Sequence, residues 1–244
     1  MFHWDRGIFL TTPRLALDVP RRQPNGFVSH AHGDHIAPHQ VAYCTPATAE
    51  LYRHRLGKHR RTMLLNYRQP RPYGAISLTA YPAGHCLGSA MLLVDGEEGR
   101  LLYTGDYKLD ASLTAETAEL PQSDVLIMES TFGRPQYRLP ALETVVEQFL
   151  ELTQRLIADG VTPVIHAYAL GKAQEVTRIL TAAGLGVMQH PEIYAISQVY
   201  RRCGVELGDV VPYNDAKVEK RAVVTLPKSS RRFRLPGLVR AQSI

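Results

Sequence analysis

At 244 residues, with 45% hydrophobic and 21% charged residues, the chain has the composition of a globular protein able to bury a substantial core. No apolar run approaches the roughly 18 residues that cross a bilayer, and the start MFHWDRGIFL lacks the basic-then-apolar pattern of a secretory signal. Cys44, Cys86 and Cys203 have no paired spacing. A cytoplasmic protein with reduced thiols is therefore expected, without a membrane span, an export signal or a disulfide or cysteine-zinc framework.

In chain order, residues 14–19 and 25–30 read as strands, with Asp18 at the end of the first. The second runs into HAHGDH, which places His30, His32, Asp34 and His35 within six positions. Imidazole and carboxylate suit zinc and similar divalent ions. In an extended segment His30 and His32 point the same way, while Asp34 and His35 follow in the turn and can serve a second ion. The spacing predicts a two-metal site at the mouth of a strand. Residues 45–57 read as a helix, with Thr45 as cap, Pro46 at its first position and Gly57 at its end.

Residues 75–81 alternate as a strand and lead to His85, flanked by Gly84 and Gly88, which let the backbone approach a crowded site. Residues 89–94 and 100–107 read as a hairpin across DGEEG, with Asp106 near its far end and able to bridge two ions. Taken singly, such a histidine is usually structural and such an aspartate a turn residue. After HAHGDH, in this order, both read as ligands. Apolar residues at helical spacing over 139–160 predict a helix, followed by the strand VTPVI and a helix opened by GKAQE. The alternation implies an α/β architecture.

These residues resemble the metallo-β-lactamase superfamily: HxHxDH, then a glycine-flanked histidine, then a strand-end aspartate. DVLIMESTFG resembles the acidic signature of its β-CASP nuclease branch, and VTPVIHAYALGKAQEVTRIL resembles the strand-turn-helix opening the β-CASP insert. The subgroup suggested is the bacterial ligase-associated DNA exonucleases, or relatives of the messenger-RNA 3′-end processing factor. The resemblance implies a four-layer αββα sandwich with a partial insert. Its parts are a catalytic domain at 1–160, a partial β-CASP-like segment at 161–228 and a basic tail at 229–244. The family's later histidine motifs have no match after Arg202, so a C-terminally truncated chain is expected.

The resemblance implies two zinc ions, with manganese as the alternative. His30, His32 and His85 would hold one, Asp34 and His35 the other, with Asp106 bridging. Water shared by the ions would be the nucleophile on a phosphodiester, with Asp34 and Glu129 in catalytic roles. Asp18 would accept hydrogen bonds from the ligand loop and fix its orientation. The implied substrate is RNA or single-stranded DNA, with a functional link to a DNA ligase or repair proteins. Two other classes remain, an inactive nucleic-acid-binding relative and a small-molecule metallohydrolase acting on a thioester or lactam.

Charge is uneven. Residues 217–244 carry eight Lys or Arg against one acid, +7 of a net +5. A second basic zone contains Arg53, Arg55, Lys58, Arg60 and Arg61, and no acid lies between Glu50 and Asp95. Basic patches concentrate polyanions. These five residues and Lys172 are the candidate nucleic-acid contacts. His166 reads as a core or edge histidine of the insert.

Overall fold

A computed structural model describes residues 1–214, 220–228 and 241–244. The chain divides into two compact units, Met1–Thr131 and Phe132–Ile244.

The first unit holds two sheets. One has the order β1 (Phe2–Trp4), β2 (Ile8–Leu10), β3 (Leu15–Leu17), β4 (Asn25–Phe27), β5 (Val41–Cys44), β6 (Thr62–Leu64). Its first two pairings are antiparallel and the rest parallel. The other runs β7 (Arg71–Tyr73), β8 (Ile76–Pro82), β9 (Ala90–Gly96), β10 (Gly99–Tyr103), β11 (Val125–Ile127) across the sheet and is antiparallel except for β10 with β11.

The sheets face each other across one apolar cluster. Leu10, Leu15, Leu17 and Phe27 come from the first, and Leu78, Ala80, Leu92, Val94 and Leu101 from the second. Alternation along the strands accounts for this, since every second residue of β8 and β9 faces inward. The helix α1 (Pro46–Leu56) covers the outer face of the first sheet, where Ala49 and Tyr52 pack with Val28, Ala42 and Cys44. On the outer face of the second sheet, Met91, Leu93 and Leu102 pack with Tyr107 and Ala118 from the loop beyond β10.

The second unit is a five-stranded parallel sheet of order β14 (Val210–Pro212), β13 (Gly186–Gln189), β15 (Arg221–Thr225), β12 (Thr162–His166), β16 (Ala241–Ser243). It carries the helices α2 (Leu142–Ala158), α3 (Lys172–Ala182) and α4 (Pro191–Arg202). The mixed α/β class read from the sequence is the class the chain adopts.

Several elements match the sequence reading closely. Thr45 caps α1 by accepting from the Thr48 N–H at 3.2 Å, with Pro46 in the first turn and Gly57 at the end. The helix over 139–160 begins later, at Leu142, because Pro140 holds the preceding residue out of the helical region. It packs against β12 and β15 and belongs to the second unit, whereas the sequence reading drew the boundary at 160. β4 stops at Phe27, short of the expected residue 30, as the chain turns into the ligand loop. Of the basic segment 217–244, residues 217–219 and 229–240 lie outside the described residues, and the last residues form β16 beside β12. Among the described residues, no helix is long and apolar enough to cross a membrane.

Leu92 is fully buried between the sheets. Leu92→Ala should cost about 2–5 kcal/mol in urea unfolding; a loss below about 1 kcal/mol would contradict its place in a close-packed core.

Candidate metal centre

Three loops converge at one end of the two-sheet unit. The first, residues 28–35, leaves β4; the second, residues 83–89, joins β8 to β9; the third follows β10. One donor atom from each of His30, His32, His85 and Asp106 lies within 4.8 Å of the others. Three imidazoles pack around that of His30, whose ring centroid is 4.6 Å from His32, 4.1 Å from His35 and 4.8 Å from His85. His35 Nε2 reaches Asp106 Oδ1 at 3.4 Å, and His30 Nε2 lies 3.7 Å from Asp106 Oδ2.

Behind this cluster stands Asp18, buried and with φ of +49°. Its carboxylate accepts from Ser29 N at 2.7 Å, Ser29 Oγ at 2.5 Å, His35 Nδ1 at 3.1 Å and Tyr103 Oη at 3.0 Å. The chain of donors sets the tautomers. Ser29 gives its single hydroxyl proton to Asp18, so at 2.9 Å it accepts from the Nδ1–H of His30. His30 Nε2 is then left as a bare lone pair, buried and without a hydrogen-bond partner. Such an orphan is costly in a protein interior, and it faces the other donors. This donor set therefore fits a divalent cation, with the second nitrogens of His30 and His35 fixed by hydrogen bonds.

The electrostatics separate the histidines. Burial, reinforced by the neighbouring His35, His32, His85 and Arg55, holds His30 well below the ordinary histidine range, so it stays neutral. Burial also disfavours charge on His35, yet the hydrogen bond and charge of Asp18, with Asp106 and Asp34, push it up to about 9. Asp106 is raised, chiefly by burial and by the nearby carboxylates, with His35 opposing.

The other candidates sit around this core. The Asp34 carboxylate is 82% exposed, lies 3.8 Å from His35 Nε2, and stands outside the tight groups of donors. Glu129 follows β11; it accepts from Thr131 N at 3.1 Å, from the Thr131 hydroxyl and from Tyr107 N at 3.4 Å. Partial burial opposes its charge, but these bonds and the field of His85 hold it below the usual carboxylate range.

The basic zone separates by role. Arg53 binds Glu50, Thr62 and the Arg60 carbonyl, and Arg60 binds the Leu56 carbonyl, so both close the end of α1. Arg55 instead donates to the carbonyl of Ala31, between His30 and His32, at 2.9 Å and pairs with no carboxylate among the described residues. Lys58 and Arg61 are exposed. Lys172 pairs with Glu175 at 2.7 Å in the second unit, and His166 bonds Leu226 and Ser243 there.

Sequence reasoning missed Ser29, Tyr103 and the grip of α1 on the His85 loop. Thr45 and Thr48 both donate to the carbonyl of Gly88, at 2.7 and 2.8 Å. Ser29 sits directly before HAHGDH, the only signal that could have flagged it. Gly84, at φ of +75°, has space for no side chain, since a Cβ would lie 2.1 Å from the Lys108 carbonyl oxygen.

No protein-family model matches the chain. It is 37% identical over 243 residues to a probable DNA ligase of Opitutus terrae, covering 96% of this chain and 24% of that protein. It is 33% identical over 177 residues to an RNase J-like protein of Methanocaldococcus jannaschii, covering 63% of this chain and 42% of the other. To endoribonuclease YSH1 of Eremothecium gossypii it is 33% identical over 165 residues, covering 64% and 21%. The chain thus spans less than half the length of each. Its fold also matches a crystal structure of a protein of unknown function from Enterococcus faecalis V583, with a TM-score of 0.58 at 17% identity over 84% of this chain and 58% of that one.

Asp18→Asn puts an N–H where His35 and Tyr103 donate. It should weaken metal binding by about 10–100-fold, measured by chelator competition; unchanged affinity would contradict the arrangement. The pH dependence has a definite sign. Folding raises His35 from 6.5 to about 9, so its contribution to the metal-free chain is complete below about 6.5 and lost as pH rises to about 9. Thermal midpoints of the metal-free chain should fall across that window, and more shallowly in Asp18→Asn; equal slopes would contradict the assignment.

Proposed function

The chain belongs to the metallo-β-lactamase superfamily, in its β-CASP nuclease branch, and on that premise we propose that it is a metal-dependent nuclease hydrolysing phosphodiester bonds of RNA or single-stranded DNA. The observation that carries this reading is the buried, unpartnered Nε2 of His30 facing His32, His85 and Asp106. The similarity to an RNase J-like protein and to an endoribonuclease supports nucleic acid as the substrate.

In this reading His30, His32, His85 and Asp106 would hold one divalent ion, and His35 and Asp34 would hold a second. Three imidazoles and carboxylates favour zinc over manganese. Bound there, the ions supply Lewis-acid polarisation of the phosphoryl oxygens and acidify water. The chain's own groups do the rest. Asp18 holds His35 and, through Ser29, His30 in the tautomers that present Nε2. Glu129, kept ionised by Thr131 and Tyr107, orients His85. Arg55 is tied to the ligand loop by one N–H, and its others are available to a phosphate flanking the scissile bond. The similarity to a probable DNA ligase supports a role in processing ends for joining or repair. Arg55, which pairs with no carboxylate among the described residues, favours a polyanion over a thioester or lactam substrate.

End-labelled single-stranded RNA and DNA should be cut with zinc present. His32→Ala should abolish turnover, and unchanged cleavage by that variant would contradict the reading. Arg55→Gln should raise KM and reduce the salt dependence of substrate binding by about one unit of slope; an unaltered slope would remove Arg55 from the phosphate contacts.

A further inference from the structure

The loop that carries His85 is held on its two limbs by different means. On the limb before His85 the grip is made by backbone. The Lys108 N–H donates to the Ala83 carbonyl at 2.9 Å and the Glu119 N–H to the Pro82 carbonyl at 3.0 Å. Both donors belong to the segment that follows Asp106, so the segment bearing one expected ligand lies against the loop bearing another. The contact is close, since a Cβ on Gly84 would also meet the Ala118 Cβ at 3.2 Å.

On the limb after His85 the tie to the same segment is a side chain. Glu116, half-buried, accepts from the Gly88 N–H at 3.0 Å. A carboxylate accepting from a backbone N–H makes a charge-assisted bond, roughly twice as strong as a neutral one. Gly88 is gripped at its other backbone group as well, where the carbonyl takes the hydroxyls of Thr45 and Thr48. At φ of +76° it sits so near α1 that a Cβ would lie 2.7 Å from the Thr48 nitrogen.

The next residue carries this grip to the ligand. Ser89 Oγ accepts from His85 N at 3.0 Å and from Cys86 N at 3.2 Å, and the Ser89 carbonyl accepts from Tyr67 Oη at 3.0 Å. Burial first, and then the charge of Glu116, raise the Tyr67 hydroxyl above its ordinary value, so it stays a donor. Gly88 thus adjoins the hydroxyl that fixes the His85 backbone, and a shift at Gly88 passes to His85. Residues that share an ion must keep a closely defined separation. His85 Nε2 lies 3.8 Å from Asp106 Oδ2, although the two residues sit on different segments. The backbone bonds at Pro82 and Ala83 reach only the first limb, and Glu116 ties the second limb to the segment that Asp106 begins.

We propose that Glu116 is a positioning residue of the metal centre, which sets the separation of His85 and Asp106 through the Gly88 N–H. The proposal rests on the metal-dependent reading for its ion, but its test does not need cleavage. The full chain and its Glu116→Ala, Glu116→Leu, Glu116→Gln and Glu119→Ala variants are loaded with cobalt(II) and their visible spectra recorded. Their zinc affinities are measured by chelator competition, and circular dichroism checks that each is folded. Alanine and leucine remove the acceptor, leucine while filling the same space, and glutamine keeps it. Glu119 lies on the same segment and pairs with Arg68 instead. Glu116→Ala and Glu116→Leu should weaken zinc binding by about 10-fold and alter the cobalt bands. Glu116→Gln should stay near the parent in both, and Glu119→Ala should change neither. Parent-like affinity and spectrum without the acceptor, no recovery in Glu116→Gln, or an equal loss in Glu119→Ala would overturn the proposal. A parent chain that binds neither zinc nor cobalt would overturn it together with the nuclease reading. Cleavage by the parent, with parent-like affinity in Glu116→Ala, would sink the positioning role alone; metal binding that responds to Glu116 without cleavage of RNA or DNA would sink the nuclease reading alone.

Discussion

The centre depends on one buried carboxylate. Asp18 receives four hydrogen bonds, and their sources lie on both sheets: Ser29 and His35 follow β4 of the first, while Tyr103 ends β10 of the second. A buried carboxylate is tolerated only when its lone pairs are satisfied, so these donors are obliged to converge. Their convergence fixes the separation of the sheets at the end where the ligand loops meet. It also turns His30 and His35 so that each presents Nε2 toward Asp106. The left-handed backbone at Asp18, uncommon for a residue with a side chain, is sustained by the same bonds.

A second device works from outside the sandwich. Helix α1 touches each loop it must steady with a different residue. Thr45 and Thr48 at its start hold the Gly88 carbonyl of the His85 loop, Tyr52 at its middle donates to the Ala37 carbonyl at 2.6 Å, and Arg55 near its end holds Ala31. One rigid rod thereby sets the relative positions of loops far apart in sequence, as a site of several ligands requires. Arg55 serves twice, since the residue that braces the loop also places a cation beside the cluster and helps keep His30 neutral.

Much of the centre is legible in the sequence because metal ligation uses few residue types at close spacing. HAHGDH, His85 and Asp106 could be named from composition and order alone, and the structure brings His30, His32, His85 and Asp106 to one point. Helix α1 is legible through its cap chemistry. Strands of three residues such as β1, β2 and β11 are not, since so short a segment carries no usable period. The basic zone shows a different limit. Sequence counts Arg53, Arg55 and Arg60 alike, and only tertiary contacts reveal that two close a helix end while the third faces the ligand loop. Ser29 and Tyr103 escape for a similar reason: a hydroxyl that sets a tautomer looks, in sequence, like any other.

The central claim is that this cluster binds a pair of divalent ions. Anomalous diffraction at the zinc edge, from crystals grown with zinc, tests it directly. The account predicts two peaks roughly 3.5–4 Å apart, one among His30, His32 and His85 and one beside His35, with Asp106 between them. A map with no peak at these residues, or with zinc bound only elsewhere on the chain, would contradict it.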